Sequence, residues 1–136
     1  MTNIYCTLTF HSNKEKFDLS NFERKIQLYR KTSWSIGDLQ QPNYEDSARL
    51  DSTAVIKSET SKDYDGKEVI SSFFHYLYSK KEVILELKSQ YMANLYFDVI
   101  VNQESSDSPV IFLEPNHLTL LSELDASMNV SIYDYR

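Results

Sequence analysis

The chain has 136 residues, 41% of them hydrophobic and 25% charged, an ordinary globular balance that excludes disorder of the whole. Twenty acidic side chains against 14 basic ones leave a net charge of −6, which disfavours general nucleic-acid binding and favours encounter with a basic partner. Two Gly exclude a glycine-rich phosphate loop, and the lone Cys6 excludes an intramolecular disulfide and a multi-cysteine zinc module.

Ile4, Cys6, Leu8 and Phe10 share one parity and Tyr5, Thr7 and Thr9 the other, which reads as a strand with one face on a core. A polar stretch, His11 to Lys16, follows. Leu19, Phe22, Ile26 and Tyr29 then recur at helical spacing and predict a helix over 19–29. Ser20-Asn21-Phe22-Glu23 has the form of a capping box, with Asp18 as a competing cap. Trp34 to Ile36 is a short extended piece that ends in the turn Gly37-Asp38, and Gln40 to Asn43 continues as loop. Ala54-Val55-Ile56 is a strand centre.

Asp65-Gly66-Lys67-Glu68 again spaces a capping acid before Glu. Val69, Ile70, Phe73, Phe74, Leu77 and Tyr78 follow as a broad helical stripe. After Lys80-Lys81, Val83, Ile84, Leu87 and Tyr91 resume at helical spacing with a shifted phase, so either a second helix follows or one helix bends. The segments 94–101 and 109–113 are rich in strand formers and are expected to form an antiparallel hairpin. Pro115 opens a helix carrying Leu118, Leu121 and Leu124, and Val130 and Ile132 lie in a last strand. The chain is expected to form one domain over residues 1–136. Its fold class is α+β: a mixed or mostly antiparallel sheet of about five strands, with helices packed mainly on one face.

This order resembles the bacterial family named domain of unknown function 4279, along nearly the whole chain. The matching features include the opening strand, Trp34-Ser35-Ile36-Gly37-Asp38, the paired aromatic-aliphatic helix, Pro109 to Leu113 and the closing Val130-Ser131-Ile132-Tyr133-Asp134. One departure is the segment after Asp51, which lacks the second Trp of the family. The resemblance implies a compact sheet covered by helices in a bacterial cytoplasmic protein, and it supplies no activity.

His11, His75 and His117 lie in separate segments without metal-ligand spacing and read as surface or capping residues. Cys6 has core parity and reads as a small hydrophobe, and no Gly-x-Ser-x-Gly elbow is present. The pairs Glu45-Asp46, Asp63 with Asp65, and Glu82 with Glu86 read as solvated surface. No catalytic residue, metal ligand or cofactor is therefore assigned. The segment with Trp34, Asp38, Tyr44 and Arg49 is the candidate binding site, because it combines the aromatic and Arg content of interface hot spots. The bland alternative, which the sequence favours, is that Trp34 plugs the core edge and Gly37 permits a tight turn.

The leading functional expectation is a non-enzymatic domain that binds a basic protein through an acidic, Tyr-rich surface, with a toxin-neutralising immunity protein as one version. The alternative is an enzyme or small-ligand binder with a pocket between helices and sheet near Trp34. A third possibility is a homo-oligomer that uses an open sheet edge. The absence of a signal-peptide pattern and of an apolar run of roughly 18 residues predicts a cytoplasmic protein without membrane spans.

Overall fold

Alternation in the first strand sets the architecture. In the computed structural model, which describes residues 1–136, β1 (Asn3–Ser12) buries Ile4, Cys6, Leu8 and Phe10 completely. It is flanked by β2 (Ser52–Lys57) and β3 (Asn94–Gln103), both antiparallel to it. The last strand, β4 (Ala126–Asp134), runs parallel to β3, so the sheet has four strands in the order β2-β1-β3-β4. The class is α+β with a mixed sheet.

Four helices supply the second layer: α1 (Leu19–Lys25), α2 (Lys67–Ser79), α3 (Lys81–Gln90) and α4 (Pro115–Glu123). The core joins Ile4, Leu8 and Phe10 of β1 and Leu95, Phe97 and Val99 of β3 to Phe22, Ile70, Phe74, Leu77, Ile84, Leu87 and Leu121 of the helices. Within each strand the residues of that cluster share one parity, and the register sets them on one face, so the helices sit on one face. Phe97 is fully buried, with Phe74 at 4.9 Å and Phe73 at 6.3 Å between ring centroids. Phe17 is also buried in the core, packed on Phe22 and Tyr91. Burial of an aromatic ring of this size is worth roughly 1.5–3 kcal/mol by area alone.

Helix ends differ from expectation in instructive ways. Asp18, rather than Ser20, caps α1 by accepting from the Ser20 and Asn21 amides, and the helix stops at Lys25 rather than Tyr29. Ile26 turns to extended backbone, and the Tyr29 amide donates to the Val55 carbonyl of β2 at 2.6 Å. A sheet-edge hydrogen bond outcompetes another helical turn there. The α2 cap is Gly66 with no side-chain bond, although Asp65 does accept from the Lys67 amide at 3.0 Å. The two stripes after Val69 are separate helices that meet at Lys80.

The segment 109–113 is not a hairpin partner of β3. Both sides of β3 are already taken, by β1 and β4. Val110 instead bridges Asp65, with its amide donating to the Tyr64 carbonyl and its carbonyl accepting from the Gly66 amide. Ile111 and Leu113 of this segment pack against the core. Pro115 opens α4 as expected, and His117 closes a capping box with Glu114 while stacking on Phe74 at 4.4 Å.

Truncation of Phe97 to alanine tests this packing. The Phe97→Ala variant is expected to lose about 3–5 kcal/mol in denaturant unfolding, since the helices lying over it cannot collapse fully into the void.

Candidate functional site

No helical layer covers the face of the sheet opposite α1–α4, although Thr7, Thr53 and Val55 are buried at its β2 side, where the segments of Tyr29 and Trp34 pack. Register places Tyr5 beside Ile100, Thr7 beside Asp98, Thr9 beside Tyr96 and Asn3 beside Asn102 on that face. Lys57 joins the Thr7 row from β2, and Tyr133 joins the Asn102 row from β4. The Lys57 ammonium lies 4.6 Å from the Tyr5 ring centre and 5.5 Å from that of Tyr29. Burial raises the Tyr5 phenol above its ordinary value, and repulsion from the phenolates of Tyr133, Tyr29 and Tyr135 raises it further. The four tyrosines are thus electrostatic neighbours.

A loop from Ser33 to Leu50 borders this face at the β2 edge. Trp34 bridges Thr53 through paired backbone bonds of 2.8 and 2.9 Å, which anchors the loop to the strand. The turn at Gly37 has φ +94°, a conformation that favours glycine. Asp38 stabilises that turn by accepting from the Ser35 amide at 2.8 Å, and its carbonyl accepts from the Arg49 amide. The Arg49 guanidinium then lies 4.0 Å from the Trp34 ring centre. Both groups are half-buried, and a cation–π contact that stays partly in solvent contributes about 0.5–1 kcal/mol.

Asp51 connects the loop to the sheet. It accepts from the Trp34 indole at 3.1 Å and pairs with His11 Nε2 at 2.9 Å. His11 in turn meets Tyr96 edge-on at 6.3 Å. Tyr96, His11, Asp51, Trp34 and Arg49 therefore form one continuous strip across three segments. Burial alone would raise the Asp51 carboxyl, but the bonds from Trp34 and His11 and the charges of His11 and Arg49 hold it below the usual carboxylate range. The strip is fixed by mutual contacts, which suits recognition by preorganised aromatic and charged groups.

Its chemistry is limited by strand parity. Cys6 is on the core side of β1 and His11 on the open side, so the thiol and the His–Asp pair cannot meet. Burial pushes the Cys6 thiol up to about 12, which keeps it protonated and inert. No group of three His, Cys, Asp or Glu side chains gathers as a metal site. A cavity of about 520 Å³ does exist, between the segment 56–61 and α2, lined by Ile56, Val69, Phe73, Lys57, Glu68 and Tyr76 among others. Trp34, Asp38, Tyr44 and Arg49 are not among its lining residues.

The family model described as Domain of unknown function (DUF4279) matches residues 2–135. The chain belongs to this family. No curated protein and no solved structure matches it. The open face and its bordering loop thus stand as features of a DUF4279 domain whose chemistry must be read from its own residues.

Of the residues singled out from sequence in this DUF4279 chain, Trp34 and Arg49 stack directly and Asp38 holds the turn between them. Tyr44 is exposed near the far end of the loop, without a contact to that stack. Sequence reasoning missed His11, Asp51 and Tyr96. The signal for His11 and Tyr96 was parity: each lies opposite to the core-facing residues of its strand. Asp51 carried no local signal, because its partners are 17 and 40 residues away in the chain.

The depressed Asp51 carboxyl makes a pH prediction. Its contribution to stability is complete above the unfolded value of 3.8 and is lost as pH falls through the lower folded value. Asp51→Asn is therefore expected to cost about 1 kcal/mol at neutral pH, and the gap from wild type should narrow in acid. Urea unfolding of both proteins between pH 7 and pH 2 checks this; a constant gap would mean that the carboxylate charge has no part in it.

Proposed function

We propose that this DUF4279 domain is a non-enzymatic protein-interaction module that engages a basic partner through its uncovered sheet face and the Trp34–Arg49 border. The observation that carries the reading is the strip Tyr96–His11–Asp51–Trp34–Arg49, built on the side of the sheet opposite the helices. Tyr, Trp and Arg held by one another lose little side-chain freedom on binding, which is why such residues dominate interface energetics.

Charge has a separate task. The open face mixes signs, with Arg49 and Asp51 in the strip and Lys57 and Asp98 on either side of Thr7, so it selects orientation rather than a sign of charge. The net charge of −6 acts over longer range and speeds encounter with a basic protein. A toxin-neutralising immunity protein, with a basic nuclease as its partner, is one concrete form of this reading. A cytoplasmic setting fits it, as no helix is long and apolar enough to cross a membrane and the one thiol is buried and free.

The second reading is a small-ligand binder, favoured by the 520 Å³ cavity with its apolar floor of Ile56, Val69 and Phe73 and its polar rim. A metabolite that raises the melting temperature in the wild type but not in a Phe73→Trp variant would favour it.

Affinity capture at low salt from the source organism tests the leading reading. The expected result is a stoichiometric basic protein that is retained by wild type and lost by Trp34→Ala with Arg49→Ala. The association rate should fall about tenfold or more as salt rises, with a smaller change in the dissociation rate. Absence of any stoichiometric partner at low salt overturns the proposal, and a toxin gene beside this gene would support its immunity form.

A further inference from the structure

The two edges of the sheet are treated differently. The β2 edge is covered, because Thr53 exchanges both backbone bonds with Trp34, the Val55 amide donates to Ser33 Oγ and the Val55 carbonyl accepts from Tyr29. The β4 edge has nothing. No backbone group of residues 126–134 bonds to anything outside the ladder with β3. The Tyr135 amide bonds the Gln103 carbonyl, and by the alternation of a parallel ladder the odd-numbered residues of β4 turn their amides toward β3. The even-numbered residues, Met128, Val130 and Ile132 among them, turn theirs outward.

The devices that usually protect a free edge are missing. β4 contains no Lys and no Pro, and its register with β3 is unbroken over all nine residues, so no bulge bends it away. Its only charge is Asp134 at the very end, and that carboxylate is already held by Arg136 through two bonds of 3.0 Å. Met128, Val130 and Ile132 pair in register with the core residues Phe97, Val99 and Val101 and so lie on the same face, yet they are 40%, 40% and 53% exposed. The helical layer stops short of them. The outer strand thus presents a row of unpaired amides together with an uncovered apolar stripe.

We infer that β4 pairs antiparallel with β4 of a second copy, joining two sheets into one of eight strands in a closed dimer. The occupant is argued from the strand itself. An antiparallel copy centred on Val130 sets Val130 against Val130, Met128 against Ile132, Asn129 against Ser131 and Ser127 against Tyr133, so the central seven residues match apolar to apolar and polar to polar, and only the end pair Ala126 and Asp134 is mixed. No like charges fall opposite each other. This register also uses the full length of the strand. Because the β2 edge is closed by the Trp34 segment, pairing cannot continue past two copies, and the product is a dimer rather than a fibre. The inference is independent of any partner on the open face.

Light scattering and sedimentation of the full chain across a concentration series test it. The expected mass is that of two 15.9 kDa chains, falling to one upon dilution. Val130→Lys places two like charges face to face at the two-fold, on a side chain already partly in solvent, and should give a monomer with unchanged circular dichroism. A wild type that is monomeric at every concentration overturns the proposal, as does a Val130→Lys variant that folds and remains dimeric. Should that variant fail to fold, hydrogen exchange on the wild type decides. Amides of Met128, Val130 and Ile132 must exchange more slowly as concentration rises, and rates indifferent to concentration overturn the assignment of this edge. Capture of an unrelated extended peptide on β4 by a chain that stays monomeric also overturns it.

Discussion

The period-two pattern of β1 is the constraint on which the rest of the molecule depends. This strand is interior to the sheet, bonded to β2 on one side and β3 on the other, so its register fixes theirs. Four fully buried side chains of even number tie it to the helices. A slip by one residue would exchange them for Tyr5, Thr7, Thr9 and His11, placing hydroxyls and an imidazole where the core has no partners to offer. Each buried aliphatic or aromatic group is worth roughly 1.5–3 kcal/mol, so the wrong register is inaccessible. The chemistry of the open face is the complement of this choice. Whatever Tyr5, His11 and their neighbours do is decided by which residues the core has claimed.

How much of this could be read from the chain depended on range. Helices α2, α3 and α4 and all four strands carry local periodicity, and their positions follow from it. Asp18 and Ser20 offered two caps for α1, and only the fold chooses between them. The residues 26–29 continue a helical pattern but answer to β2, because an amide at a sheet edge has a partner waiting in the Val55 carbonyl. The same reason explains Pro109 to Leu113. Its strand formers were legible, but the vacancy it would have filled beside β3 was taken by β4, which arrives later in the chain through the α4 crossover. Competition between segments for one edge leaves no trace in either segment alone.

The candidate site divides along the same line. Trp34, Asp38 and Arg49 were legible because aromatic, Gly and Arg residues cluster within one loop. Their interpretation as either a core plug or a surface was not legible, and the structure sets Trp34 half-buried at the β2 edge, outside the core cluster. Trp34 is partly buried and anchors the loop through its backbone, while its ring is stacked by Arg49 on one side and its indole nitrogen reaches Asp51. Tyr44 was grouped with them by sequence proximity, yet the loop carries it away. Proximity in the chain is a weak guide inside a loop whose two arms pair, since Leu39 meets Ala48 and Gly37 meets Arg49 while the tip projects outward.

Face and edge are geometrically separate, and this matters for how the two readings combine. A two-fold axis that pairs β4 with itself must stand normal to the sheet, because antiparallel pairing about Val130 keeps even residues on one side in both copies. Both open faces then point the same way, with their Trp34–Arg49 borders at the two far ends of a continuous surface. In the proposed dimer, two equivalent faces held in one rigid body would convert a second contact into an intramolecular event, so weak binding by each face would be reinforced for any partner that is itself paired or repeated. A monomeric partner would gain nothing from this arrangement and would bind each half independently. On the proposed dimer and the proposed binding role, the uncovered β4 edge would therefore bear on function as well as on assembly, because it would determine whether the aromatic strip engages a target once or twice.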